Sequence, residues 1–327
     1  MSDVPSPVSP RDTTRALVLL MVGQIALHAA MAGQRMATPL QALQAGHSAW
    51  AVGLLLALFA ALPVLIAMPA GRMADRHGYH RPQKLAVGLT FVGVGCALVS
   101  TFVAGWPQFA LQCLGAACSG AGTNVGVIVV LRAAGLLASD STERLRVFSW
   151  LGMAFSGANV LGPVTAGFMI DLGGFGVAYG AMLAFPLVSV WVMGQVPQTP
   201  RQAAPASRPA GAGRWELLAT PGLKRLLFIN WLLSASWDVH SFAVPVLGHA
   251  RGYNASTIGL VLGIFTAAVT VVRFVIPLLA HRLQEVTVLR AAMVMTAAVF
   301  AIYPFAGTPW LMAGCATLLG LALGAVQ

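Results

Sequence analysis

Three side chains that are charged at neutral pH lie well inside long apolar runs of this 327-residue chain: Arg35, Asp238 and Arg273. A charge in such a run is costly to bury, so each calls for a partner, a wet cavity or a function. Gln24, His28 and Arg35 are spaced by four and seven residues, which puts them on one face of a helix. Asn230, Ser234, Asp238, Ser241 and Pro245 follow at spacings of four, four, three and four, again one face. An arginine and a carboxylate on two such stripes can pair across a cavity and separate again. The guanidinium can hold an anion. The carboxylate can carry a proton, as can His28 and His240, since histidine changes charge near neutral pH. Asn124, Gln112 and Asn159 are further polar residues in apolar runs and are candidate lining for the same cavity.

Helices of spanning length must position these stripes. Apolar residues make up 58% of the chain and charged residues only 9%, against roughly 25% in a soluble domain. Mean hydropathy is +0.80. This excludes a water-soluble enzyme, a disordered chain and a coiled coil. Ten apolar segments can be read, at 15–38, 49–70, 83–103, 108–131, 147–170, 177–196, 223–247, 256–279, 287–305 and 310–327. Each is near the ~20 residues that a helix needs to cross the hydrocarbon. The runs are continuous rather than alternating, so helices are expected, which satisfy their own backbone groups in lipid. The expected class is an all-α membrane protein.

The net charge of +10 is a topology signal rather than a nucleic-acid patch. With the N-terminus placed in the cytoplasm, 16 of the 19 Lys and Arg residues fall on inner segments, and the outer loops hold only Arg251. No nucleic-acid partner is expected. The four cysteines, Cys96, Cys113, Cys118 and Cys315, form no CxxC pair, so no metal or disulfide framework is implied. There is no Walker-type Gly-Lys-Ser/Thr, so ATP is not the expected energy source. No cofactor is expected, with protons the candidate coupling ion.

Shifting the chain by 206 residues brings its two halves into register. Pro39 meets Pro245, Gly46 meets Gly252, Gly53 meets Gly259, Phe59 meets Phe265 and Arg76 meets Arg282. The expected organisation is a six-helix bundle over 1–196, a cytoplasmic linker over 197–222 that is rich in Pro and Ala, and a four-helix bundle over 223–327. Cys113 and Pro107 pair with Cys315 and Pro309 at a shift of 202, matching the tenth span to the fourth. Two parallel halves around a midplane site are an architecture of secondary transporters. Six spans against four reads as a twelve-span design stopped at Gln327.

The loop Gly71-Arg72-Met73-Ala74-Asp75-Arg76-His77-Gly78-Tyr79-His80-Arg81 resembles the G-x-x-x-D-R-x-G-x-x-R signature of the major facilitator superfamily. The resemblance implies two bundles of six helices each, about ten helices being present here. It also implies a conformational switch at Gly71, Asp75, Arg76, Gly78 and Arg81, with Asp75 set against a helix N-terminus or an arginine of the other half. Gly162-Pro163-Val164-Thr165-Ala166-Gly167 is similar to the GPxxGG element of the drug-antiporter branch, which implies close helix packing at Gly162, Pro163 and Gly167. That branch's intramembrane Arg beside Gln112 is absent.

The implied function is secondary active transport of a small molecule by alternating access, proton-coupled, as efflux of drug-like or metabolite solutes. The competing readings are uptake of an organic anion or other metabolite, and a non-transporting sensor on the same fold. An intramembrane hydrolase built on Ser156 is the weakest reading, because Ser156 is a small packing residue in its run. The expected setting is a monomer in a bacterial-type inner membrane, with lipid and a small-molecule substrate as partners.

Overall fold

The computed structural model describes residues 10–138, 140–196, 222–279 and 284–326. The described residues form nine helices and no strand: α1 (Pro10–Gln44), α2 (Ala49–His77), α3 (His80–Val99), α4 (Trp106–Leu137), α5 (Ser141–Met193), α6 (Leu223–Ala250), α7 (Ala255–Leu279), α8 (Glu285–Ile302) and α9 (Pro309–Gly324). Seven of them are by themselves long and apolar enough to cross a membrane. Helix α9 has only 16 residues, and α6 carries the polar stripe. The 197–221 part of the expected linker, Arg282 and Gln327 lie outside the described residues. Helix α1 begins at Pro10, five residues ahead of the first apolar segment. The basic-rich end of the bundle is called inner below and the opposite end outer.

Nine helices accommodate ten spans because α5 folds back on itself. Gly173 and Gly174 interrupt it, with Gly174 at φ +79°, a region open to glycine and strained for other residues. Contacts along α1 locate the two arms. A methyl group placed on Gly33 would meet Met182 from one arm and the Gly162 carbonyl from the other. Roughly twenty residues of unbroken helix would separate those two contacts by about 30 Å. His28 lies beside Asn159 and Gly23 beside Ser189, so the first arm runs parallel to α1 and the second antiparallel. Buried Leu20, Leu27, Met36 and Leu40 place α1 in the middle of its bundle.

The repeat is visible in backbone chemistry as well as in letters. Gly46 and Gly252 both take positive φ, +85° and +70°. Both close the preceding helix with the same pair of bonds: the glycine N–H to Leu43 or His249, and the next N–H to Ala42 or Gly248. Ser48 and Asn254 then cap the following helices through N–H groups of Ala51 and Thr257. All of these positions differ by 206. Packing corrects the register of the last helix. Gly120 and Gly320 approach the backbones of Phe59 and Phe265, so α9 repeats α4 at a shift of 200 rather than 202. The backbone contact decides, because only a small residue permits that approach.

The two halves share their outer core. One apolar cluster joins Met36, Leu40, Val94, Ile170 and Tyr179 of the first half to Ile258, Leu262, Phe265 and Leu319 of the second. A second cluster, built around Leu20, Leu27, Val87, Val125, Val129 and Leu151, belongs to the first half alone and fills its inner part.

Candidate functional site

Helix α1 brings Arg35 to the seam between the halves, and α6 brings Asp238 to meet it. Nη2 of Arg35 donates to Oδ1 of Asp238, the expected ion pair across 203 residues of sequence. The Asp238 side chain keeps 57% of its exposure and that of Arg35 keeps 22%. The pair therefore borders open space and is not sealed in the core. On one side of Arg35 is a small recess of about 40 Å³, walled by Asn159, Trp237, Ser241 and Phe265. On the other is a cavity of about 480 Å³, walled by His28, Met31, Phe59, Thr123 and Asn124. The larger one falls within the range of small-molecule sites.

His28 faces this cavity with its Nε2 beside the Asn159 amide at 3.0 Å and its ring against Phe155. Asn159 also donates to the Phe155 carbonyl, so α5 holds the amide that holds the histidine. Nδ1 of His28 and Oδ1 of Asn124 are buried without a hydrogen-bond partner. Gln24, one turn further in on α1, is fully buried, and neither its amide oxygen nor its nitrogen has a protein partner. The same holds for Gln112 on α4. Buried amides of this kind call for water or ligand. Of the expected residues, His28, Arg35 and Asn124 line the larger cavity and Asn159 holds His28, while Gln24 and Gln112 are buried and are not part of its wall.

The second half contributes less than its stripe implies. Asn230 and Ser234 are exposed on the inner part of α6 and make no hydrogen bond among the described residues. His240 turns away from Asp238. Two residues further along a helix means a rotation of about 200°. The ring is buried against Phe265 at 4.2 Å, with its Nδ1 3.3 Å from the Tyr303 hydroxyl. It is buried in the apolar core that Phe265 and Tyr303 share with the first half, and it does not line the recess beside Arg35.

The loop between α2 and α3 is also arranged differently from the expectation. Asp75 pairs with Arg132 at 2.8 Å, and Arg132 stands at the inner end of α4 in the same half. Its partner is thus an arginine of its own bundle. Gly78 ends α2 at φ +70°, while its N–H returns to the Ala74 carbonyl. Arg76 and Arg81 are exposed, and a methyl group on Gly71 would meet open space.

The Gly162–Gly167 segment is the tightest part of the seam. Gly162 lies on the backbone of Ala29 and Gly33 in α1, the Pro163 carbonyl on Gly259, and Gly167 on Ala255. The same arm of α5 therefore packs on its own bundle and on α7 of the other. One feature escaped the sequence reading. Asp171, just beyond, accepts from the N–H groups of Ala255 and Ser256 at 3.0 and 2.8 Å and caps α7 across the halves. At the inner end Arg273 donates to the Ser156 hydroxyl at 3.4 Å on the wall of a cavity of about 800 Å³. The 206-residue shift sets Arg273 opposite Ala67, which is no guide to a function, and Asp171 lies in a stretch that the repeat does not reach.

A family model described as Major Facilitator Superfamily matches residues 20–327. The chain belongs to the major facilitator superfamily. Solved structures of this fold agree in shape. It is similar to a mutant of the nucleoside transporter NupG, at TM-score 0.73 and 12% identity over 95% of this chain and 80% of that one. It is similar to a POT family transporter in complex with 5-aminolevulinic acid, at TM-score 0.74 and 12% identity over 95% and 82%. It is similar to a bacterial homolog of the human lysosomal transporter Spinster, solved inward-facing and unoccupied, at TM-score 0.65 and 16% identity over 97% and 75%. No curated protein matches the sequence. This superfamily membership and these transporter neighbours support membrane transport of a small molecule, and the helices are those of an integral membrane protein.

Proposed function

We propose that this chain is a proton-coupled secondary transporter that exports a drug-like or metabolite solute by alternating access, with its basic end in the cytoplasm. The observation that carries this reading is the Arg35–Asp238 pair, which bridges the two halves beside a cavity of about 480 Å³. A proton on Asp238 removes the negative partner, releases Arg35 and loosens the outer seam. Loss of that proton restores the pair and closes the seam. Entry of the proton from outside and its loss inside, each coupled to one of these states, gives exchange of protons for solute. The drug-antiporter-like Gly162-Pro163 element supports export. His28, held by Asn159 beside Arg35, is the second proton candidate, with Gln24 and Asn124 as polar lining. The Asp75–Arg132 pair, with Gly71, Arg76, Gly78 and Arg81 around it, steadies the inner end of the first half as the bundles rock. The working unit is a monomer in a plasma-type membrane.

A second reading, import of an organic anion, is favoured by one observation: Arg273 lines the inner cavity, whose described wall holds no carboxylate. Flux in proteoliposomes under an imposed pH gradient tests both. Asp238→Asn is expected to abolish proton-driven flux while the protein still inserts and stays monodisperse. Unchanged pH-dependent flux in Asp238→Asn rejects the coupling role. Solute movement into the cytoplasm-equivalent side on proton influx selects import, and absence of flux for every solute selects a sensor.

A further inference from the structure

The inner part of the seam lies between the first arm of α5 and α7, where a cavity of about 800 Å³ opens. Its wall carries two guanidinium groups from opposite halves, Arg146 of α5 and Arg273 of α7. Arg273 is in neither of the ion pairs Arg35–Asp238 and Asp75–Arg132, and Arg146 also borders a neighbouring pocket that it shares with Glu143. Arg273 has one hydrogen bond, to the Ser156 hydroxyl at 3.4 Å, and Ser156 is itself buried. Such a bond is too long and too weak to compensate a cation held within an apolar helix. Thr142 adds a neutral hydroxyl to the same wall, whereas the Ser149 and Thr270 hydroxyls there already donate to the Leu145 and Thr266 carbonyls. Trp150 and Phe274 add large apolar surface, and the Arg146 guanidinium lies 5.5 Å over the Trp150 ring.

We infer that this cavity is a binding site for an amphipathic organic anion, with a carboxylate, sulfonate or phosphate head and an aromatic or aliphatic body. The head takes the place beside Arg273 and Ser156, where guanidinium donors suit planar oxyanions, while Arg146, ten residues before Ser156 and so about 15 Å away along α5, adds positive field further along the wall. The body lies along Trp150 and Phe274. Because Arg273 comes from α7 and Ser156 and Trp150 from α5, the anion bridges the two halves at the end where no shared apolar core holds them together. The site names a substrate class for the transport function and rests on that reading only where the anion is called cargo. An anionic lipid headgroup has the same chemistry and reaches the same wall.

Equilibrium binding to the purified full chain tests the site without a gradient and without flux, so its failure is separate from a failure of transport. The probes are 2-naphthoate and its neutral carboxamide, titrated against protein in zwitterionic nanodiscs. The carboxylate is expected to bind at least about tenfold more tightly than the amide. Arg273→Gln is expected to erase that preference, Arg273→Lys to keep part of it, and Ser156→Ala to lower it. A second arm places wild type and Arg273→Gln in nanodiscs containing phosphatidylglycerol and counts retained lipid by native mass spectrometry. Naphthoate preference lost in Arg273→Gln assigns a free organic anion. Retention of phosphatidylglycerol lost in Arg273→Gln, with no naphthoate preference in wild type, assigns a lipid head. Equal binding of acid and amide together with unchanged lipid retention overturns the site. Arg273→Lys and Ser156→Ala with native unfolding temperatures guard against a loss caused by misfolding.

Discussion

The two ends of the α5–α7 contact are built from the same pair of helices and behave oppositely. At the outer end Gly162, Gly167 and Gly259 remove side chains from the seam, and backbones touch. Asp171 then caps α7 across the halves, and an apolar core runs through both bundles. At the inner end Gly152 and Gly157 have nothing within 4 Å of a would-be methyl group, the core belongs to one half, and a cavity holds Arg273. Small residues alone therefore do not bring helices together. They do so where the opposite backbone is also bare and a polar bond aligns it. The chain is closed outside and open inside, and the Arg35–Asp238 pair lies where the two regimes meet.

The largest way to break this contrast is to remove the pair. In a background lacking the four native cysteines, Ser241→Cys marks the recess beside Arg35. Adding Asp238→Asn is expected to raise its labelling from the outer side by about tenfold or more, in line with the worth of a charge-assisted bond. Exchanging the two residues, Arg35→Asp with Asp238→Arg, is expected to restore slow labelling. Next in size, Gly167→Val puts a branched side chain on the Ala255 backbone and is expected to cost about 1–3 kcal/mol, read as a lowered unfolding temperature. Asp171→Asn leaves one of the two cap bonds and is expected to cost about 1 kcal/mol, shifting the balance towards outer opening by about fivefold in distance measurements by spin labels. The smallest change is at the inner end of α5. Gly157→Ala meets open space and is expected to stabilise the helix by about 0.5–1 kcal/mol, with an unfolding temperature raised or unchanged. A destabilising Gly157→Ala together with a neutral Gly167→Val would remove the distinction between the two ends.

Much of this site was legible in the residues, and the exceptions follow a pattern. The Arg35–Asp238 pair was readable because the repeat puts both near one level on facing helices, and intramembrane charges seek each other. His240 was misleading because proximity in sequence to Asp238 is not proximity in rotation, and its ring finds Phe265 and Tyr303 instead. Asn230 and Ser234 keep the right spacing on α6, but both side chains stand exposed and meet no polar partner of the first half. Asp75 carried a recognisable motif, yet its partner Arg132 is 57 residues away on α4 and no spacing announces it. Asp171 lies just past the end of an apolar segment, and only the tertiary arrangement brings it the N–H groups of Ala255 and Ser256 on α7.

What the sequence by itself determined is local. Transfer of each segment from water to lipid depends on that segment alone, so spans, breaks and the basic end can be read from composition. A glycine turn and a helix cap are also local, and so the 206-residue repeat reappears in the backbone bonds of Gly46 and Gly252. The tertiary structure alone decided which charges meet, which histidine is buried and where the seam is shut. Those outcomes depend on how two rigid bundles lie against each other. That arrangement is set by sums of small backbone contacts at Gly162, Gly167 and Gly259, none of which is written in a single segment.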